Sequence, residues 1–407
     1  MSNRRTFIGQ CAKGAAGLAV SGLVTSQRIL GANDRIRFGL IGCGSRGKEI
    51  FQAAMRCANA EAVAAADVYT RRLEEAKAMA PQIKTYKDAR ALLDDQSVDA
   101  VLIATPQHQH ALNFVPAIQA GKDVYQEKTM AFSPDHAKRM RKALAGSGRV
   151  VQVGIQMISG PGMTTVREFA TPERMGVITA IHTHHYRNAP YGGWMRDIPS
   201  DCDAGHVDWK AFQGEAATTP FDPQRYVNWR FFWEYSGGNV FENMVHQVGY
   251  WHTVLKLAIP QAVTMTGANC LSPKMQPPDV MDVTMRHSDK LLFTWNSMFS
   301  NDYYGEGHDL LLGTKGTIVH DPTDKPRYVP QGEKSARAAE DGTAPTGDYA
   351  DATDAHMQNF FDCVRSRKEP ACPFEIGFRS AIACQMAVRS YREGRTVTWD
   401  EKLEDIV

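Results

Sequence analysis

Three groups of residues have the types and spacing to do chemistry. Glu242 and His246 lie four positions apart in GGNVFENMVHQVGYWHTVLKL, where Met244, Val248, Trp251 and Leu255 recur at helical spacing. On a helix the two polar residues stack on one face within hydrogen-bonding reach. A carboxylate that orients an imidazole and stabilises its protonated form makes a competent general base near neutral pH. The plainer reading is an amphipathic helix with an incidental polar face. Lys128 follows Glu127 at the end of the strand-like GKDVYQEK. A lysine at the carboxyl end of a parallel strand sits where ligands bind and could hydrogen-bond a substrate hydroxyl, favouring its alkoxide character; the alternative is a solvated surface lysine. The third group is His182, His184 and His185 in GVITAIHTHHYRN. Strand alternation sends His182, His184 and Tyr186 to one face and His185 and Arg187 to the other. Histidines at i, i+2 can share a metal, but no firm third ligand is evident, so substrate contacts or core histidines are the reading and no metal is expected. Asn296, Asp302, Tyr303, Tyr304 and His308 are weaker candidates for the same pocket.

These groups need elements to position them, and the chain is organised around IRFGLIGCGSRG, Ile36 to Gly47. Ile36, Phe38, Leu40 and Ile41 read as a buried strand, and KEIFQAAMRC begins a helix after the glycines. Gly42 allows a tight turn, Gly44 lets backbone approach a pyrophosphate, and Gly47 lets helix and strand pack closely, with Ser45 and Arg46 between them. The helix start offers free N–H donors to anionic oxygens. AEAVAAADVY is a second strand ending in Asp67, at the spacing of the acidic residue that accepts from ribose hydroxyls and so favours NAD over NADP. Arg71 and Arg72 stand close enough to reverse that preference, and a helix N-cap is the other reading of Asp67.

The alternation continues through VDAVLIAT, GKDVYQEK and RVVQVGIQ with helices between, which implies a parallel sheet covered on both faces. The expected fold is therefore α/β: a Rossmann dinucleotide-binding domain over 33–154 and a second α/β domain with a large open mixed or antiparallel sheet over 155–348. Helices and a tail over 349–407 would pack back on both. The polar stretch from Pro330 to Asp348 reads as a long exposed loop.

At 407 residues the chain exceeds what one core usually serves. A net charge of +1 with interspersed signs provides no field to recruit nucleic acid or an acidic membrane, so a small molecule is the expected partner. Asn3-Arg4-Arg5-Thr6-Phe7-Ile8 followed by a mild Gly/Ala-rich apolar run is a twin-arginine pattern. Residues 1–32 are accordingly read as an export leader, too short in its apolar part to span a bilayer. The eight cysteines include no CxxC, and free thiols are expected.

The motifs GCGSRG, AADVY, VLIATPQHQH, VYQEKTMA, Gly154-x-Gln156, SGGNVFENMVH and GTKGTI together resemble the Gfo/Idh/MocA family of glucose-fructose oxidoreductases and inositol dehydrogenases. The resemblance extends over essentially the whole mature length and is nearest to an exported bacterial branch. It implies an NAD(P)-dependent oxidoreductase acting by hydride transfer on a hydroxyl of a sugar, polyol or glycoside. Lys128 matches the lysine of the family's EKP motif, His246 its catalytic histidine, and Glu242 falls where an aspartate is usual. The resemblance adds Thr105, Pro106, His108, Glu127 and Gln156 to the cofactor contacts, and it implies an open sheet that serves as the interface of a dimer or tetramer. Two residues depart from the pattern. Thr129 replaces the proline after the lysine, removing a φ restraint that would help aim Lys128, and Glu242 is one methylene longer than aspartate.

An exported enzyme meets no pool of nicotinamide cofactor, so a dinucleotide loaded before export must be held tightly and regenerated in place. That admits a second reading, an NAD-dependent glycosidase or lyase that oxidises a sugar carbon transiently, eliminates a glycosidic group and re-reduces it. A catalytically silent binding or sensing protein is the third.

Overall fold

The structure, a computed structural model, describes residues 35–189, 193–288, 291–306, 308–321, 324–332, 339–345 and 347–407. The twin-arginine stretch lies outside the described residues. The first half alternates strictly. Strands β1 (Ile36–Ile41), β2 (Ala60–Ala66), β3 (Lys84–Tyr86), β4 (Ala100–Ile103), β5 (Asp123–Glu127) and β6 (Val151–Gly154) form a parallel sheet in the order 3-2-1-4-5-6. Helices α1 (Ser45–Arg56), α2 (Thr70–Met79), α3 (Ala89–Asp94), α4 (His110–Gln119) and α5 (Pro134–Leu144) connect them. The strand order reverses between β1 and β4, and the crevice at that switch point is where open α/β sheets bind ligands. β4 and β5 are buried throughout, as the near-continuous apolar run of β4 demands. β3 escapes the sequence reading because KTY is short and mostly exposed.

The second half is built on a mixed sheet. Strands β7 (Ile178–Asn188), β8 (Ala262–Ala268), β9 (Val280–Ser288), β10 (Leu291–Met298), β11 (Ser300–Glu306), β12 (Asp309–Gly313), β13 (Gly316–His320), β14 (Arg327–Pro330), β15 (Glu340–Asp341), β16 (Val397–Asp400) and β17 (Asp405–Ile406) belong to it. Among the described residues the order is 15-14-13-12-7-10-9-8-16-17, with β11 also on β7. β7 and β10 run parallel and the other pairings are antiparallel. The segment read as an exposed loop from Pro330 to Asp348 thus contains a paired strand, β15.

Helix α6 (Val245–Leu255) is preceded by a π-helical turn, Val240–Met244, and packs against α8 (Phe374–Glu393). α7 (Tyr349–Ser366) returns to the first domain and lies across α1 and β1, with the Phe361 ring 5.3 Å from that of Phe38. Asp348 caps α7 by accepting from Asp351 N, and Pro373 precedes the first residue of α8. Among the described residues no helix is long and apolar enough to cross a membrane, and the seven described cysteines carry free thiols.

Candidate active site

The glycine turn forms one end of the site. Gly42 leaves β1 with φ +91°, and a Cβ there would stand 2.8 Å from the Ala104 carbonyl carbon, so only glycine fits. At Gly47 a Cβ would lie 2.0 Å from Gly42 O, which is how α1 packs so closely on the turn. Gly44 is different: nothing stands within 4 Å of its would-be Cβ. The first turn of α1 holds no acidic residue, and its N-cap, Gly44, forms no side-chain cap. Free N–H donors, an open glycine and the positive end of a helix fit the pyrophosphate of a dinucleotide. Gly42, Gly44, Ser45, Arg46, Asp67, Thr105, Pro106 and Lys128 all line one cavity of 1510 Å³.

Asp67 is on that wall with a structural task as well. Its two oxygens accept from Cys43 N at 2.7 Å and Tyr69 N at 2.9 Å, tying the glycine turn to the end of β2. Each carboxylate oxygen retains a second lone pair for a ribose hydroxyl. Arg71 turns away to Asp201, whereas Arg72 faces the cavity and pairs with Glu75 at 2.8 Å.

Four of the expected cofactor contacts, Gly47, Glu127, Gln156 and His108, are not on the wall, Gly47 being packed against Gly42 O instead. Glu127 lies beneath it, accepting from Arg46 Nε at 2.9 Å, Gln156 Nε2 at 3.1 Å and Lys128 N at 3.1 Å. Gln156 also donates to Tyr125 Oη and accepts from Tyr349 Oη at 2.8 Å. These two fix the strand ends rather than line the cavity. His108 is buried behind the wall, its Nε2 2.7 Å from Phe212 O and its ring packed against Phe212 and Tyr235. Burial pushes its imidazole down to about 4. Its neighbour Gln107 instead points inward, because the turn Gln107–Gln109 is a 3-10 helix in which successive side chains diverge widely.

The reacting end brings residues of both domains together. Lys128 Nζ lies 2.8 Å from Glu242 Oε2. Glu242 Oε1 accepts from Gln107 Nε2 at 2.7 Å and forms an ion pair with Arg230 Nε at 3.1 Å, the Arg230 guanidinium being stacked on Trp229. Burial opposes the charge on Glu242, but Arg230 and Lys128 outweigh it and hold the carboxyl down at about 2. The expected hydrogen bond from Glu242 to His246 is not formed. Glu242 sits in the π-helical turn, whose wider i to i+5 spacing rotates it off the His246 stripe and toward Lys128 and Arg230. His246 Nδ1 is buried without a partner, and its ring stands edge-on to Tyr349 at 5.9 Å. Burial, then the charges of Lys128 and Arg46, holds this imidazole well below its usual range, so it is neutral.

Thr129, in place of proline, supplies a tether of its own. Its hydroxyl donates to Phe241 O at 2.6 Å and its carbonyl oxygen lies 2.8 Å from His110 Nδ1. The strand end carrying Lys128 is thereby fastened to the turn carrying Glu242. The Lys128–Thr129 peptide is cis.

On β7 alternation operates as the pattern requires, and it divides the predicted substrate residues. His185 and Arg187 line the cavity. His182, His184 and Tyr186 lie on the opposite face of the sheet: His182 Nδ1 is 2.7 Å from Thr294 Oγ1, Tyr186 donates to Asn296 Oδ1, and His184 stacks on Tyr186 and His308. The buried inner face of β7 is the one packed under α6, which leaves these residues outside the site. Asp302 and Tyr303 are exposed, His308 pairs with Asp321 at 3.2 Å, and the Tyr304 side chain lies outside the described residues. Among the described residues no group of three or more His, Cys, Asp or Glu is placed to hold a metal.

Between β7 and α6 the chain makes an irregular excursion that sequence patterning does not resolve. It contains Trp209–Gln213, Pro223–Val227 and Trp229–Phe231 as short helical turns. Val207 bridges Tyr69, Asp208 N donates to Val68 O at 2.9 Å, Tyr69 Oη donates to Asp201 at 2.7 Å, and Gln109 Nε2 donates to Ala211 O at 3.0 Å. Asp208, Lys210, Phe212 and Tyr226 consequently line the same cavity as Asp67.

A doubly wound sheet with a glycine turn at its switch point, facing a lysine and an imidazole across one groove, defines a two-domain dinucleotide-dependent oxidoreductase. Residues 36–155 match the family model for the NAD-binding Rossmann fold of the GFO_IDH_MocA oxidoreductases, and residues 210–399 match that for their C-terminal alpha/beta domain. The chain belongs to the Gfo/Idh/MocA oxidoreductase family. It is 23% identical over 369 residues to an inositol 2-dehydrogenase of Salmonella typhimurium, covering 89% of this chain and 96% of the relative. A 2,7-anhydro-N-acetylneuraminate hydratase of Mediterraneibacter gnavus is 24% identical over 242 residues, 58% of this chain and 55% of the relative. The fold is shared with a levoglucosan dehydrogenase solved with NADH, at TM-score 0.72 and 18% identity over 89% of this chain and 99% of that one.

Proposed function

We propose that the protein oxidises or reduces a hydroxyl-bearing carbon of a sugar, polyol or glycoside, with His246 and Lys128 acting on the hydroxyl oxygen. The observation that carries this reading is that these two side chains, from different domains, open on the same cavity as the glycine turn. NAD held there would supply the hydride chemistry. His246, neutral and lining the cavity, has capacity to take the hydroxyl proton on a ring nitrogen. Lys128, its charge offset by Glu242, donates a hydrogen bond that favours alkoxide character. Glu242 acts through Lys128 rather than through His246. Relatives named for inositol and levoglucosan support a polyhydroxylated substrate. Lys128→Met and His246→Gln should each lower NADH formation by about 10²- to 10⁴-fold on a panel of sugars while NAD binding persists. Unchanged turnover in both variants would overturn the assignment.

Tight retention of the dinucleotide is part of the same proposal. The excursion that lines the cavity is tied to Val68, Tyr69 and Gln109, which supports slow release. Protein purified without added cofactor should yield NAD on denaturation. Export is proposed from Arg4 and Arg5, and replacing both with lysine should leave the protein in the cytoplasm on cell fractionation. Self-association through the open face of the second sheet is proposed likewise, with light scattering as its check.

The relative named as a hydratase favours keeping a second reading, redox-neutral elimination by transient oxidation. Glycoside cleavage without net NADH would select it; net NADH formation would select the simple dehydrogenase.

A further inference from the structure

The cavity continues beyond His246. One turn further along α6, Tyr250 lines it, and so do Asp309 on β12 and His320 on β13, which are register partners. The Tyr250 and His320 rings lie 4.7 Å apart with an interplanar angle of 32°. All three residues are buried, at 3%, 2% and 5% exposure for Tyr250, Asp309 and His320. The Tyr250 hydroxyl and both ring nitrogens of His320 have no hydrogen-bond partner, and the nearest Asp309 oxygen is 3.9 Å from His320 Nδ1. The remainder of the wall is firmly held. Asp309 accepts from Gln247 Nε2 at 2.6 Å and Trp251 Nε1 at 2.8 Å, and Gln247 Oε1 accepts from Trp295 Nε1 at 2.6 Å.

Buried polar atoms without partners are uncommon, and three of them grouped on a cavity wall call for a bound molecule to satisfy them. Their charge state narrows its chemistry. Burial pushes the His320 imidazole down to about 4 and the Asp309 carboxyl up to about 8, and raises the Tyr250 hydroxyl. Near neutral pH these three groups are themselves uncharged, with donors and acceptors matched to hydroxyls; Arg167 is the cation whose charge reaches Tyr250, and Asp321 the anion whose charge reaches His320.

We propose that Tyr250, Asp309 and His320 form a distal subsite that binds uncharged hydroxyl groups of the substrate, remote from the carbon on which His246 and Lys128 act. The proposal rests on the reading of this cavity as a sugar or polyol site. An α-helical turn rises about 5.4 Å, the scale of a sugar ring, so the subsite would contact hydroxyls across the ring from the reacting one.

Calorimetric titration of the NAD-loaded full-length protein with myo-inositol, maltose and glucuronate tests it, together with Tyr250→Phe and His320→Phe. At least one neutral polyol should bind more tightly than glucuronate, and each variant should weaken that binding about three- to tenfold with NAD affinity unchanged. Unaltered polyol affinity in both variants, meaning a chamber filled only by water, would overturn it. So would tightest binding of glucuronate, or no binding of either neutral probe to the unmodified protein. NADH formation with the same probes separates the two ideas. Turnover with KM unchanged in the variants refutes the subsite alone, and binding that weakens in the variants without any turnover refutes the oxidoreductase reading alone.

Discussion

Replacing Glu242 with glutamine keeps the shape of the side chain and removes its charge. Glu242 is 5% exposed and is the shared anion for Lys128 and Arg230. Its carboxyl falls from 4.5 to about 2 on folding, because those two cations outweigh the cost of burial. A folded pKa below the unfolded one contributes stability that is full above pH 4.5 and lost as the pH falls through about 2. The shift corresponds to about 3 kcal/mol at neutral pH, of which about 2 kcal/mol would be gone by pH 3. Urea unfolding of the unmodified protein and of Glu242→Gln at pH 7, 5, 4 and 3 measures the difference directly. The unmodified protein should be the more stable at pH 7 by at least this amount, since the amide leaves two buried cations uncompensated, and the gap should narrow steadily below pH 4.5. A gap that is absent at pH 7, or that stays constant down to pH 3, would refute the idea that Glu242 is ionised and clamped between cations.

The two glycines flanking Arg46 should separate folding from binding. Gly44→Ala, with open space around its Cβ, should leave the melting temperature within a few degrees and weaken NAD about tenfold or more, whereas Gly47→Ala, forced against Gly42 O, should destabilise the fold by about 1–3 kcal/mol in denaturant titrations. Thr129→Val leaves Phe241 O without its donor and should cost about 1–3 kcal/mol and lower kcat, with Thr129→Ser restoring both; equal kcat in the valine and serine variants would show the tether to be idle. Asp201→Ala combined with Gln109→Ala removes two ties of the excursion and should raise the NAD release rate about tenfold, read by stopped-flow fluorescence.

What was legible in the chain follows from how local each signal is. The Rossmann half could be read because its strands are apolar runs, its helices keep a 3.6 period and its glycine turn has a steric reason at each position. Lys128 is legible because it stands immediately after β5, at the carboxyl end of a parallel strand, where open α/β sheets bind ligands. The helix bearing His246 was found from its period, but the partner of Glu242 was not: helical spacing assumes a regular helix, and the π turn over Val240–Met244 breaks that assumption. The outward position of His182, His184 and Tyr186 was half legible, since alternation separates the faces without saying which one α6 covers. Tyr250 carried a usable signal, standing four residues after His246 as His246 stands after Glu242. Gln107, Arg230 and Tyr349 carried none, because each reaches the site from an irregular turn or a helix end positioned by tertiary contacts.

The packing of α7 across β1 bears on how independent the first domain is. Phe38 and Phe51 share a cluster with Met357, Phe360 and Phe361, so one face of the dinucleotide-binding sheet is completed by residues made some three hundred positions later. During vectorial synthesis the glycine turn emerges long before the helix that covers the strand leading into it. The nascent domain therefore keeps an apolar flank uncovered until Met357, Phe360 and Phe361 have left the ribosome. A fragment ending at Gly154 would be a poor module for grafting or separate expression, and the two halves are better regarded as a single folding unit that happens to have two sheets.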